Sequence, residues 1–245
     1  MSKNKTVIYT AIFGGKDNLI EPKFIPEGCG FVCFTDQDFV SNVWQVKKVK
    51  PKFEDPVRNA RMYKVFPHKY LSEYEISVWI DGNLLLRGDI NELIKKYLND
   101  VNLAVFSHNQ HTKRWKKLFW IEDKEDCRDC LYDEAEYLLK IEKDGKYKDN
   151  PELMEKQVER YKQGGYPQHN GLAVTMVILR KHNKEDVVQT MEDWWQEIQK
   201  GSRRDQLSFN YVAWKNKLNF VYMRGDSRRN NWFLHKQHKV RIYKK

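Results

Sequence analysis

The chain contains no apolar run approaching the ~18 residues of a membrane-spanning helix, no leader-like apolar core after Met1-Ser2-Lys3-Asn4-Lys5, no internal repeat and no dividing linker. The first absence excludes a transmembrane segment, and the second leads us to expect a cytoplasmic protein, with peripheral membrane contact the remaining membrane option. Prolines number 7 in 245 residues, and a composition 40% hydrophobic and 13% aromatic excludes disorder. That length suits one domain spanning 1–245, with a charged, helical insertion over about 109–168 and a basic tail over about 224–245.

Cysteine is scarce: Cys29, Cys33, Cys127 and Cys130. Two close pairs match the ligand count of a four-thiolate zinc site, but Cys33 reads more simply as a buried strand residue within Phe31-Val32-Cys33-Phe34. Reduced thiols are the expectation. A redox role for Cys127-Arg128-Asp129-Cys130 is weaker, because no strand precedes it.

Also missing is a uniform basic stripe. The net charge is +10, from 44 Lys plus Arg against 34 Asp plus Glu, and it favours an anionic partner: nucleic acid, an anionic membrane surface or a phosphorylated small molecule. The basic residues cluster at 47–52 and at the C-terminus, while 122–129 is mostly acidic. A specific nucleic-acid partner is therefore not expected.

What is present is an alternation of strand and helix patterns. Val7–Phe13 is β-branched and aromatic and ends at Gly14-Gly15, a turn whose amides can meet a ligand. Phe31–Thr35 predicts a buried strand ending at Asp36, and Trp44–Val49 a third, edge strand. Pro56 opens a helix that Pro67 ends or kinks. Ile76–Ile80 and Leu103–Phe106 predict strands on either side of a helix capped by Asp89. Helices follow over about 126–143 and 151–162, then a strand over Leu172–Leu179, helices over about 186–200 and 205–214, and a short strand at Phe220–Met223. This order predicts an α/β fold with a parallel or mixed sheet covered on both faces, whose ligands gather at the carboxyl ends of the strands.

Three groups at those ends carry chemistry. Asp81-Gly82-Asn83 can place two oxygen ligands near one divalent cation, Mn2+ or Mg2+, although Asp-Gly-Asn is also a common turn. Arg58, Arg61 and Lys64 share one helical face, useful beside a diphosphate or simply solvated. Asp205-Gln206 at a helix start can present a carboxylate and an amide to a sugar, or Asp205 can cap its helix. His235 offers a nitrogen ligand from the tail.

Together, Val7–Asp17, Phe31–Asp36, Trp79–Asn83 and Arg204–Asn210 resemble the nucleotide-sugar glycosyltransferases of the GT-A type. The similarity is strongest to a domain-of-unknown-function family with plant and bacterial glycosyltransferase-like members, and covers roughly residues 7–215. It implies a Rossmann-like, mainly parallel mixed sheet, a UDP-sugar donor and a glycan or other hydroxyl acceptor. Thr10, Ala11, Phe13, Gly14, Gly15 and Asp36 would form the uridine-binding edge. Arg61 and Lys64, with Arg58 on the same face, and Asn170-Gly171 would approach the donor; Asp81 and Asn83, flanking Gly82, would be the metal element, with His235 a third ligand. Asp205 and Gln206 would contact the transferred sugar, and a retaining course is implied.

Two departures accompany the resemblance. Asn83 replaces the second acid of the usual Asp-x-Asp, and the usual C-terminal histidine, glycine, lysine and proline pattern is missing, with His235-Lys236 and His238-Lys239 as partial substitutes. The other function classes that fit the composition are a nucleic-acid-binding module and a nucleotide-sugar-binding protein without transfer activity.

Overall fold

A computed structural model of the chain describes residues 5–108, 128–141 and 147–238. Seven strands form one sheet: β1 (Thr6–Ile12), β2 (Cys29–Thr35), β3 (Gln45–Lys48), β4 (Ile76–Ile80), β6 (Leu103–Ser107), β7 (Ala173–Arg180) and β8 (Phe220–Met223). Their spatial order is β3-β2-β1-β4-β7-β6-β8. Neighbours pair in parallel except β7, which runs antiparallel to both β4 and β6. The expected mixed, GT-A-like and Rossmann-like α/β sheet is what forms, with the third predicted strand at its edge.

The alternation of side chains along each strand decides which face it feeds. In β1, Val7, Tyr9 and Ala11 join one core cluster and Ile8 and Ile12 the other. In β4, Trp79 joins the first and Val78 and Ile80 the second. The first face is covered by α1 (Pro56–Val65), α6 (Glu185–Lys200) and α7 (Gln206–Lys215), the second by α3 (Ile90–Tyr97). Asp55 and Asp89 cap α1 and α3 through their side chains, each accepting a backbone N–H at 2.9 Å. Pro67 breaks the predicted helix by starting a separate short turn, α2 (Pro67–Tyr70).

Within the predicted insertion, α4 (Leu131–Lys140) and α5 (Pro151–Gln163) are formed. Residues 126–127 and 142–143 of the predicted 126–143 helix lie outside the described residues. The tail departs from expectation: β9 (Phe233–His235) pairs antiparallel with β5 (Leu84–Leu86), a strand the sequence reading did not distinguish. The last five residues lie outside the described part. No described helix is long and apolar enough to cross a membrane.

Candidate functional site

The sheet order reverses direction between β1 and β4, which opens a crevice beyond their carboxyl ends. Asp81 follows β4 with the same parity as Trp79, so its side chain leaves the sheet on the α1 face. Trp79 Nε1 donates to Asp81 Oδ1 at 2.8 Å. Spaced three apart on α1, Arg61 and Lys64 reach the same point: Arg61 Nη1 lies 3.8 Å and Lys64 Nζ 3.6 Å from Asp81 Oδ1.

A second carboxylate completes the cluster. Asp205 lies 2.9 Å from Arg61 Nε and 2.5 Å from Lys64 Nζ, and accepts a 2.7 Å hydrogen bond from Thr175 Oγ1. It stands at the N-terminal boundary of α7 but makes no side-chain cap bond, so the capping alternative does not hold. Burial opposes ionisation of Asp205, but the charges of Arg61 and Lys64 outweigh it and hold the carboxyl well below the usual carboxylate range. Burial also pulls the Lys64 ammonium below its usual value, against the two carboxylates. Behind it, Tyr9 Oη donates to the Lys64 carbonyl oxygen at 2.8 Å, and the fully buried Arg180 donates to both Tyr9 Oη and that carbonyl. The backbone under the ammonium is thereby fixed.

Beside Asp81, the β5–β9 pairing brings the tail onto Asn83. The buried Asn83 amide nitrogen lies 2.9 Å from His235 Nε2 and 3.2 Å from His238 Nε2, and donates to the Lys236 carbonyl at 3.2 Å. His238 Nδ1 faces Asp17 at 2.8 Å, a contact that orients the ring. Burial first, then the charges of His238 and Arg228, lower the His235 pKa and favour its neutral form. Both imidazoles thus meet at one amide. Asp81 borders the same cavity as Asn83, His235 and His238, a mix of oxygen and nitrogen donors suited to a divalent cation, but among the described residues Asp81 and the two histidines do not bring their ligand atoms within 4.8 Å of one another.

Two adjoining cavities, of about 310 and 500 Å³, occupy the rim. The smaller is bordered by Ala11, Phe13, Gly82, Asn83 and His235, the larger by Thr175, Asp205 and Gln206, and both by Lys16, Arg61, Asp81, Arg204 and His238. Gly82 is needed for close approach: a Cβ there would lie 2.8 Å from Ile12 Cγ1. Two buried polar atoms at this rim, Arg204 Nε and Gln206 Nε2, have no hydrogen-bond partner among the described residues, as expected of groups that meet a ligand; Thr10, expected at the donor site, borders neither cavity.

Several expected participants are placed elsewhere. Arg58 is drawn off the cationic face by the end of α6, where it donates to the carbonyl oxygens of Ile198 and, at 3.0 Å, Gly201; unsatisfied carbonyls at a helix C-terminus attract a cation. The Gly14 amide is not free, because Asp36 accepts from it at 3.0 Å. Asp36 therefore closes the turn after β1, where Gly14 and Gly15 both take φ of 64°, and none of the three borders either cavity. Asn170 and Gly171 stand beyond the start of β7; Asn170 borders a separate groove with Asn210, Trp214 and Tyr222. Because β7 is antiparallel to β4, Val174–Met176 rather than 170–171 enter the rim.

Lys16, Asp17, Thr175 and His238 were absent from the expected site. A signal existed for two of them, the three-residue spacing of His235 and His238 and the acid just past Gly14-Gly15. Among the described residues no cysteine joins a group of three possible metal ligands, so thiolate zinc has no support there; Cys127 lies outside them. Asp129, Asp133 and His169 do gather, on a surface that borders neither rim cavity.

Comparison with known proteins converges on one group. A family model described as TOD1/MUCI70, glycosyltransferase-like domain, matches residues 1–238. The chain is also similar to the Probable hexosyltransferase MUCI70 of Arabidopsis thaliana, 27% identical over 264 residues, covering 96% of this chain and 42% of that protein. The chain thus spans less than half the length of this curated relative.

Proposed function

This chain belongs to the TOD1/MUCI70 glycosyltransferase-like family, and from that premise we propose that it transfers a sugar, a hexose as in the relative's name, from a UDP-sugar to a hydroxyl of a glycan or glycosylated acceptor. The observation that carries the reading is the meeting, at the β1/β4 crevice, of the Asp81, Arg61 and Lys64 charges with the histidine pair around Asn83.

In this reading the smaller cavity takes the nucleoside diphosphate and the larger takes the sugar and acceptor. Asp81, Asn83, His235 and His238 would hold a divalent cation, Mn2+ or Mg2+, which supplies Lewis-acid neutralisation of the diphosphate. Arg61 and Lys16 add fixed positive charge where negative charge grows as the glycosidic bond breaks. Gln206 and Arg204 present their unpartnered N–H groups to sugar hydroxyls. Asp205, ion-paired to two cations, is a poor general base, which favours a front-face, retaining course over inversion. The acceptor oxygen bonds the anomeric carbon as the bond to the diphosphate oxygen breaks, and the acceptor proton passes to that leaving oxygen.

Calorimetric titration with UDP, with Mn2+ or with EDTA, tests the proposal directly. UDP should bind in Mn2+, and Asp81→Ala should weaken it by at least about tenfold, the lower end of the cost of disturbing even outer-shell metal partners. A folded protein that binds neither UDP nor any nucleotide sugar in Mn2+ would overturn it. Binding without turnover across a broad acceptor panel would instead indicate a nucleotide-sugar-binding protein.

A further inference from the structure

The larger cavity continues past the Asp81–Asp205 cluster to an end that the smaller one lacks, built by His108, Arg128, Glu134, Tyr137 and Lys148. Glu134, on α4, is buried, and Arg128 Nε is committed to it at 2.7 Å, with its guanidinium 3.6 Å above the Tyr137 ring. Arg204 stays farther off, with Nη2 3.6 Å from Glu134 Oε1 and its buried Nε without a hydrogen-bond partner among the described residues.

Lys148 adds a third cation from the loop preceding α5. Among the described residues its ammonium has no carboxylate within 4.0 Å. Burial, and then the charge of Arg204, lower its pKa, the behaviour of like charges sharing a partly desolvated wall. One bound anion would relieve both cations. The smaller cavity, assigned above to the diphosphate, has its own cations and metal-ligand candidates around Asp81 and Asn83, whereas Lys148 borders the larger cavity and not the smaller.

We infer that the Arg204–Lys148 end of the cavity receives an anionic sugar unit, one bearing a carboxylate or a phosphate, either in the acceptor or as the transferred sugar itself. This rests on the nucleotide-sugar reading, and it narrows the substrate class that reading leaves open. The chemistry is charge-assisted hydrogen bonding: the Arg204 guanidinium offers a planar fork to an anion and Lys148 a point charge beside it. Tyr137 and Val174 supply an apolar wall for the ring.

Calorimetry on the full chain in Mn2+ separates the possibilities. One arm compares UDP-glucuronic acid with UDP-glucose; the other titrates glucuronic acid, glucose 6-phosphate and glucose onto UDP-saturated protein. An anionic probe should bind at least tenfold more tightly than its neutral counterpart in one arm, which identifies whether the transferred or the accepting sugar carries the charge. Lys148→Gln should remove that preference and leave UDP affinity unchanged, whereas Lys148→Arg should retain it. Equal affinity for charged and neutral probes in both arms, or a preference unaltered by Lys148→Gln, overturns the inference. If UDP itself fails to bind, the nucleotide-sugar reading fails, and glucuronic acid, glucose 6-phosphate and glucose titrated without UDP still read the Lys148 end.

Discussion

Lys64 is only 1% exposed, and its ammonium is held inside the protein by two carboxylates of unequal closeness, Asp205 at 2.5 Å and Asp81 at 3.6 Å. Removing one partner of a buried pair costs more than the pair contributes, because the other charge stays buried. Asp205→Ala should therefore destabilise the fold by about 3–5 kcal/mol, measured by chemical denaturation. Adding Lys64→Met to that variant should restore much of the loss, since the charge that lacked a partner is gone. A single-variant loss below about 1 kcal/mol, the scale of an exposed pair, would mean that water screens the cluster and that Asp205 is not a structural anchor. The depressed Asp205 pKa gives the pH sign: its contribution is present above the unfolded value of about 4 and is lost as pH falls below it.

The β5–β9 ribbon is the element that converts a basic tail into part of the site. Leu84, Leu85 and Leu86 pair with His235, Leu234 and Phe233, and Lys236 N donates to the Asn83 carbonyl oxygen at 2.8 Å. Phe233 is fully buried against Phe106 and anchors the ribbon two residues before His235. Phe233→Ala should cost about 3–5 kcal/mol, the range for truncating a buried Phe or Trp. It should also weaken Mn2+ binding, followed as the Mn2+-induced rise in Tm, because the histidines lose their platform. A large stability loss with an unchanged Mn2+ response would separate the ribbon from the metal site.

Across the whole molecule, pH acts through a histidine far from the substrate cavities. His182 is fully buried after β7 and its Nε2 lies 3.0 Å from the Leu71 carbonyl oxygen. Burial, aided by the charge of Arg180, lowers its pKa to about 4. The unfolded chain takes up a proton near pH 6.5 that the folded protein refuses until about pH 4. Stability is therefore fully present above about pH 6.5 and declines as pH falls toward 4, by on the order of 3 kcal/mol from this group. Denaturation midpoints at pH 7 and pH 4.5 should diverge in the native protein and diverge less in His182→Asn; an identical slope in both would place the acid sensitivity elsewhere.

Local chemistry was enough to specify the principal strands and helices, because apolar alternation at Val7–Phe13 and Ile76–Ile80, the helix start at Pro56 and the cap at Asp89 act over a few residues. It also identified Asp81, Asn83, Asp205 and His235 as chemically apt. Contacts between distant segments decided the rest. Arg58 and Arg61 occupy the same helical face, yet the α6 carboxyl end captures one and Asp205 the other. Asp36 and Asp17 are both acids near the first turn, but one closes the turn and the other orients His238 across 221 residues. The three leucines after Asn83 carry no strand signal of their own, since three residues are too few to show a period and their partner lies near the end of the chain. Sequence by itself determined which side chains could serve a charged ligand at the strand ends; only the tertiary structure decided which of them share one cavity, because that depends on how segments far apart in the chain pack together.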